Sequence, residues 1–459
     1  MVNNCLYFAF ATVADSRDDY YQQRAGLLQE ELESTAFVDE LGAVIRSEVI
    51  RTPQAADDFG RQAAQSGAQA MIIHIPIWAD PELSLSLAQS FGGPVLLLGN
   101  TRGTTSSVVG TLGAGGGLDQ CGISHSRVFG SGEAQQETVL QFLRAAYAKK
   151  ALAGSTMLRF GERSLGIVTA DPVEALWRQD FSVSVRQLPQ EQIVELAEAI
   201  PEAEVERQLQ WLLTDGSADF DEVFTEAAFR RQIRSYLATK QLIDRFGGSF
   251  LGVKCQKELS DGYVTQCLAH ALLNGTVCSE GRCDAVPYAC EADANGAITM
   301  RILNLLSGGK PVTLLDIRTL DPQAGVLTLA NCGGTPPELL TDDTSAPLRG
   351  LHMCRHTFGA GGGGGLCGTL RPGKATLARL SVKNGRHCMS IVAGEVIPMP
   401  EQVRASVPHA FPCAQVRTGL TKDFLQSYDS NHIHLVYGDY IQALQLFCGM
   451  TGIDCRLYS

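Results

Sequence analysis

The feature that most constrains this chain is the alternation within its first hundred residues. Apolar runs at 6–13, 43–50, 70–78 and 94–98 are separated by polar stretches of helical spacing, among them 18–33 and 54–65. Short apolar runs spaced by helices predict a parallel sheet with crossover helices. The Gly/Ser-rich segment 101–117 interrupts the pattern and is expected to be a loop, and a long helix over 133–152 closes the unit. The grammar restarts with a strand at 164–169, helices over 191–199, 202–213 and 222–246, a strand at 249–254, and helices near 263–273 and 291–306. Beyond 311 short strands dominate, at 312–317, 326–330, 375–382, 389–397 and 432–437, before a final helix over 440–450. The reading is an α/β chain: two N-terminal Rossmann-like α/β domains, 1–157 and 158–310, followed by a β-rich, barrel-like domain, 311–459. A chain of 459 residues is long enough for three cores.

The charge balance is 37 basic against 49 acidic residues, a net of −12. That excludes general nucleic-acid binding, which needs a basic footprint, but leaves room for a locally basic pocket. No stretch reaches the roughly 18 apolar residues of a membrane span. The run 6–11 has no preceding Lys or Arg and reads as a first strand rather than an export signal, so the expected location is cytoplasmic. The 14 cysteines contain no CxxC pair and are expected to be reduced, mostly buried thiols. Their tightest group, Cys278, Cys283 and Cys290, lacks the close ligand pairs of a structural zinc site.

Most glycine and acidic motifs fail their context tests. Gly359-Ala360-Gly361-Gly362-Gly363-Gly364 matches GxGxxG in letters, but no apolar strand precedes it and no helix follows. Both it and Gly113-Ala114-Gly115 are expected to be flexible loops. Glu291-Ala292-Asp293-Ala294-Asn295-Gly296 starts like a calcium loop, yet its twelfth position is Ile302. The apolar positions Ile298, Ile302, Leu305 and Leu306 instead describe a buried helix face, with Glu291 and Asp293 in or just before its first turn. They are either capping carboxylates or groups facing a site. Asp316 closes the apolar run Val312-Thr313-Leu314-Leu315 and is expected at the C-terminal edge of a strand, where catalytic carboxylates are common. In Asn431-His432-Ile433-His434 the period of two puts both histidines on one face. Glu291, Asp316 and His432 together would make an oxygen-dominated site suited to Mn²⁺ or Mg²⁺.

These residues resemble the L-fucose isomerase/L-arabinose isomerase superfamily. The resemblance rests on Cys290-Glu291-Ala292-Asp293 leading into a helix, Leu315-Asp316, Asn331-Cys332-Gly333-Gly334, and Asn431-His432 before Val436-Tyr437-Gly438-Asp439. Ile75-Pro76-Ile77-Trp78, Pro94 to Asn100, and Gly161-Glu162-Arg163 agree in the N-terminal half. It implies a Mn²⁺-dependent aldose–ketose isomerase of three domains, assembled as a trimer or hexamer. By motif position, Glu291 and Asp316 are the carboxylates that bind metal and move protons, and His432 is the metal-binding histidine. Asn431 and Trp78 are substrate contacts, Trp78 reaching a neighbouring subunit's pocket, and Arg17 is a further basic contact. Asn331, where relatives look more His-like, and the glycine run 361–365 are departures.

Two other readings stay open. One is an epimerase, or an isomerase of an acidic (phosphorylated or sulfonated) sugar, on the same scaffold, with the pocket altered around Trp78, Lys254 and Arg355. The other is a non-catalytic sugar-binding protein, since tandem α/β domains serve such modules too.

Overall fold

The computed structural model describes residues 6–343 and 345–458. The first sheet is wholly parallel, in the order Ala43–Ile50, Tyr7–Val13, Met71–Ile75, Val95–Gly99, His125–Phe129. Alternate residues of its strands feed two cores. Ala9, Ala11, Met71, Ile73, Val95 and Leu97 pack on one side, and Phe8, Phe10, Ile72, Leu96 and Leu98 on the other. A sheet covered on both faces gives the continuous apolar runs seen in the sequence. Its helices are punctuated as expected: Thr52 accepts from Ala55 N to cap Pro53–Ser66, and Gly67 ends that helix at φ 81°.

The segment 101–117 departs from expectation. Most of it lies in a helix, Ser107–Gln120, so Gly113-Ala114-Gly115 is helical rather than loop. Close packing explains the composition. A β-carbon on Gly110 would come 3.1 Å from the Ile75 side chain, and one on Gly117 would come 2.8 Å from Leu85. Approach to the strands and to the helix Pro81–Phe91 offsets the propensity cost of about 1 kcal/mol per glycine.

The second sheet is also parallel: Tyr288–Cys290, Phe250–Val253, Thr156–Phe160, Ser184–Leu188. The strand expected at 164–169 is therefore displaced upstream to Thr156–Phe160, and Val168–Ala170 is a 3₁₀ turn. Arg159 breaks the apolar run in the sequence. Its side chain is nevertheless inside, donating to Asp171 at 2.5 Å and to Ala292 O at 3.3 Å.

The last sheet closes on itself. Gly373–Lys383, His432–Tyr437, Thr313–Asp321, Val326–Ala330, Cys413–Arg417 and Arg386–Ile397 pair antiparallel in that order, and Arg386–Ile397 pairs back to Gly373–Lys383. This barrel has Asp454–Tyr458 added parallel at one strand. The helix Ala294–Leu306 is buried along nearly its whole length and packs on both the second sheet and the barrel.

Contacts group the chain into two compact units. One holds the chain to Ala151 together with Gln442–Gly452, and the other holds Leu152–Ile441 and the chain from Ile453. The second sheet and the barrel thus share one unit.

Two further corrections concern cysteine and glycine. The cysteines are not all reduced, because Cys354 and Cys367 form a disulfide across the paired strands His352–Arg355 and Gly364–Leu366. The run 359–365 is a packed seam rather than a flexible loop. Added β-carbons would meet Tyr263 O at 2.7 Å from Gly361, Val223 O at 2.8 Å from Gly362 and Thr265 Oγ1 at 2.5 Å from Gly363. The buried Gln232 also binds both backbone groups of Gly364.

Candidate active site

In a parallel sheet the loops at the C-terminal strand edge form the natural binding crevice. Glu291 leaves the end of Tyr288–Cys290, and Lys254 leaves the end of its neighbour Phe250–Val253. Glu291 and Ala292 both hold left-handed backbone, at φ 59° and 52°. Non-glycine residues adopt that conformation at a cost of order 1–3 kcal/mol each, and such strain clusters at functional sites. Asp293 then starts the helix Ala294–Leu306, its Oδ1 accepting from Gly296 N at 2.8 Å.

The barrel supplies the facing groups. His432 opens its strand and pairs in register with Asp316. Asp316 sits in the middle of Thr313–Asp321, not at a strand edge as expected, because the strand continues past it into a hairpin with Val326–Ala330. His432 and His434 are both buried and both turn toward the helix Ala294–Leu306. His432 Nδ1 donates to Asp293, and a β-carbon on Gly296 would sit 2.7 Å from His434 Nε2.

Asp293 anchors the arrangement. Its Oδ2 accepts from His432 Nδ1 at 2.7 Å and from the guanidinium of the buried Arg379. That fixes the ring so that Nε2 faces two further carboxylates, Glu291 Oε2 at 3.2 Å and Asp316 Oδ1 at 3.5 Å. Asn431 Nδ2 donates to Asp316 Oδ1 at 3.4 Å. Burial alone would suppress the charge of His432, but Asp293, Glu291 and Asp316 outweigh it and raise the pKa to about 10. Asp293 resists its own burial through Arg379 and His432, which hold it well below the usual carboxylate range. Asp316 is pushed up to about 6, by desolvation first and then by the charge of Glu291, against the pull of His432 and Asn431.

Whether these residues suit a divalent cation is decided by one atom. Glu291 Oε2 is buried and makes no hydrogen bond that satisfies it, with His432 Nε2 3.2 Å away. An anionic oxygen left so, beside a second carboxylate and an imidazole nitrogen, fits a hard cation. The set is open, both carboxylates approaching a single nitrogen.

The structure brings together Glu291, Asp316, His432 and Asn431. Lys254 lies in the same unit, its ammonium 2.7 Å from Glu258. Arg17 and Trp78 belong to the other unit, at the C-terminal ends of adjacent strands Tyr7–Val13 and Met71–Ile75 where the first sheet's order reverses. Trp78 O accepts from Asp15 N at 3.1 Å, and the Arg17 guanidinium, 63% exposed, grips the buried Asp15 carboxylate at 2.7 Å. Arg355 pairs with Glu222 on the surface. Sequence reasoning left Asp293 open between a helix cap and a group facing a site, and missed Arg379. The spacing Asp293-x-x-Gly296 was a signal for the first, and nothing local marked the second. The group Cys278, Cys283 and Cys290 does not hold together as a trio, because Cys290 instead places its sulfur 3.9 Å from that of Cys332.

Residues 14–154 match the first N-terminal domain of L-fucose isomerase, and residues 329–458 match its C-terminal domain. The first match holds Arg17 and Trp78 and the second holds Asn431 and His432, while Glu291 and Asp316 lie between them. The chain is also similar to the sulfoquinovose isomerases of Priestia aryabhattai and Priestia megaterium, 25% identical over 175 residues. That alignment covers 38% of this chain and 38% of each relative.

Proposed function

The chain belongs to the fucose isomerase-like family of sugar isomerases, and from that premise we propose that it is a metal-dependent aldose–ketose isomerase working through a cis-enediol. The observation that carries the reading is the convergence of Glu291 and Asp316 on the Nε2 of an imidazole whose other nitrogen is held by Asp293. Glu291, Asp316 and His432 would hold the cation, Mn²⁺ by preference, with other divalent cations as alternatives. Such an ion supplies a Lewis acid for the sugar's carbonyl oxygen and its neighbouring hydroxyl.

The chain's own groups do the proton work. One carboxylate removes the C2 proton, leaving the enediol, and returns a proton to C1. The other moves the hydroxyl proton between O2 and O1. Asp293 and Arg379 keep the ring from rotating, so the carboxylates stay in register with the reacting carbons. Asn431 orients Asp316. Trp78 and Arg17 are substrate contacts, Trp78 in the pocket of a neighbouring copy within a homo-oligomer, trimer or hexamer, of a cytoplasmic enzyme.

The named activity of the two relatives favours a second form of the reading, an acidic sugar, for which Lys254 would be the cationic contact. The test is proton exchange followed by NMR in D₂O, with Mn²⁺ and a panel of free, deoxy, phosphorylated and sulfonated aldoses. Metal-dependent deuterium incorporation beside the carbonyl, with ketose appearing, is expected on at least one class. No exchange on any sugar, with or without metal, while sugar still binds, would replace the isomerase by a sugar-binding protein.

A further inference from the structure

Beside the carboxylate site lies a second donor cluster that the sugar chemistry does not use. Cys267 begins the helix Cys267–Leu273, Cys332 follows the strand Val326–Ala330, and His356 follows His352–Arg355. One donor atom from each lies within 4.8 Å of the other two. A third thiol lies beside one of them, the Cys290 sulfur being 3.9 Å from the Cys332 sulfur. All four residues lie in the second unit.

Backbone groups hold the imidazole at both ring nitrogens. His356 Nδ1 lies 2.7 Å from Phe358 O and 3.3 Å from Phe358 N, which can donate to it. Nε2 faces Cys332 O, the carbonyl of another residue of the cluster. A backbone carbonyl fixing the far nitrogen is also the usual support of a metal-binding histidine.

The spacing suits a soft ion. Two sulfurs about 2.3 Å from a tetrahedral zinc stand about 3.8 Å apart, close to the 3.9 Å between Cys290 and Cys332. The surrounding glycines leave the room: β-carbons on Gly333 and Gly365 would come 3.1 Å from Cys267 Sγ and from His356 Cδ2. We propose that Cys267, Cys332 and His356, with Cys290 as fourth donor, bind a structural Zn²⁺. The ion ties the strand that ends at Cys290 to the loop that follows Ala330. Each ligating thiol releases its proton to solvent on binding. Thiolate and carboxylate sets select different metals, so this site stands whether or not the isomerase reading does.

The test uses the full chain, reduced anaerobically, stripped with a chelator and titrated with Co²⁺ alone. Wild type is expected to develop sulfur-to-cobalt charge-transfer absorption and tetrahedral visible bands, both abolished by an equivalent of Zn²⁺. Glu291→Gln, which disables the carboxylate site, is expected to keep the signal, and Cys332→Ser and Cys267→Ser to lose it with circular dichroism unchanged. His356→Ala, which leaves every thiol in place, is expected to weaken Co²⁺ binding and alter the visible bands, which guards against misfolding of a cysteine variant. Absence of the charge-transfer band in wild type, its survival in Cys332→Ser, or a Cys290–Cys332 disulfide in the anaerobic protein would overturn the proposal.

Discussion

His74 and His432 are both buried on strands, one in each unit, and their surroundings drive them to opposite charge states. His74 stands in Met71–Ile75 with one neutral partner, the Thr12 hydroxyl, 3.4 Å from its Nδ1. Burial, helped by the charge of Arg46, lowers its pKa to about 3. His432 meets three carboxylates and is raised to about 10. His434, two residues further along the same strand, meets Ala378 O at 3.2 Å, and burial, helped by the charge of Arg379, lowers its pKa to about 3. Depth is the same in all three cases, so what distinguishes the candidate site is the carboxylates gathered there.

Removing those carboxylates breaks the comparison most severely. Glu291→Gln and Asp316→Asn are each expected to lower isomerase turnover about 10²–10⁴-fold, the range for a lost proton-transfer group, with thermal melting unchanged. Near-wild-type turnover in either variant would remove that residue from the mechanism. Next comes the anchor. Asp293→Ala leaves Arg379 buried without its counter-charge and His432 facing Glu291 and Asp316 alone, and breaking a buried pair costs about 3–5 kcal/mol. Urea unfolding measures it, and a loss below 1 kcal/mol would show Asp293 to be a helix cap and nothing more. In the same variant Glu291 and Asp316 still face His432, so its pKa should fall below the wild-type value yet stay above that of His434, seen by NMR of the ring nitrogens in chelated protein.

How far the site could be read in advance follows from the kind of signal each part leaves. Glu291, Asp316 and His432 could be named together because each sits at a motif boundary. Their meeting depends on the in-register pairing of Asp316 with His432 and on two left-handed residues at 291 and 292, where no glycine marked the turn. The first sheet was legible because strands covered on both faces are apolar throughout. Thr156–Phe160 was not, since Arg159 is a buried charge whose partner, Asp171, lies outside the strand. Both glycine-rich segments misled for one reason: glycine serves close approach as readily as flexibility, and only the neighbours at Gly117 and Gly363 tell which. The long-range cluster of Cys267, Cys332 and His356 leaves no spacing signature at all.

The pH dependence sharpens the comparison by sign. For His74 the folded pKa, about 3, lies below the unfolded value of 6.5. As pH falls below 6.5 the unfolded chain takes up the proton first, so this residue removes stability at up to about 1.4 kcal/mol per unit until pH about 3. For His432 the folded pKa, about 10, lies above 6.5. In chelated protein its contribution is complete below pH 6.5 and is lost as pH rises through about 10. Urea midpoints at pH 5 and 7 should therefore converge in His74→Phe, and midpoints at pH 7 and 10 in His432→Asn. Unchanged pH slopes in both variants would show that neither ring is held in the state its surroundings dictate.

The smallest effect tests the neutral side. Thr12→Val keeps the volume beside His74 and deletes a hydroxyl whose bond to Nδ1 is long, 3.4 Å. Loss of a neutral hydrogen bond of that kind costs about 0.5–1.5 kcal/mol, and the geometry places it at the low end. The ring should stay uncharged to pH 4, because desolvation and not the hydroxyl keeps the proton off. If Thr12→Val instead cost as much as Asp293→Ala, the partner of His74 would be holding a charge, and the contrast between the two units would have to rest on something other than carboxylates.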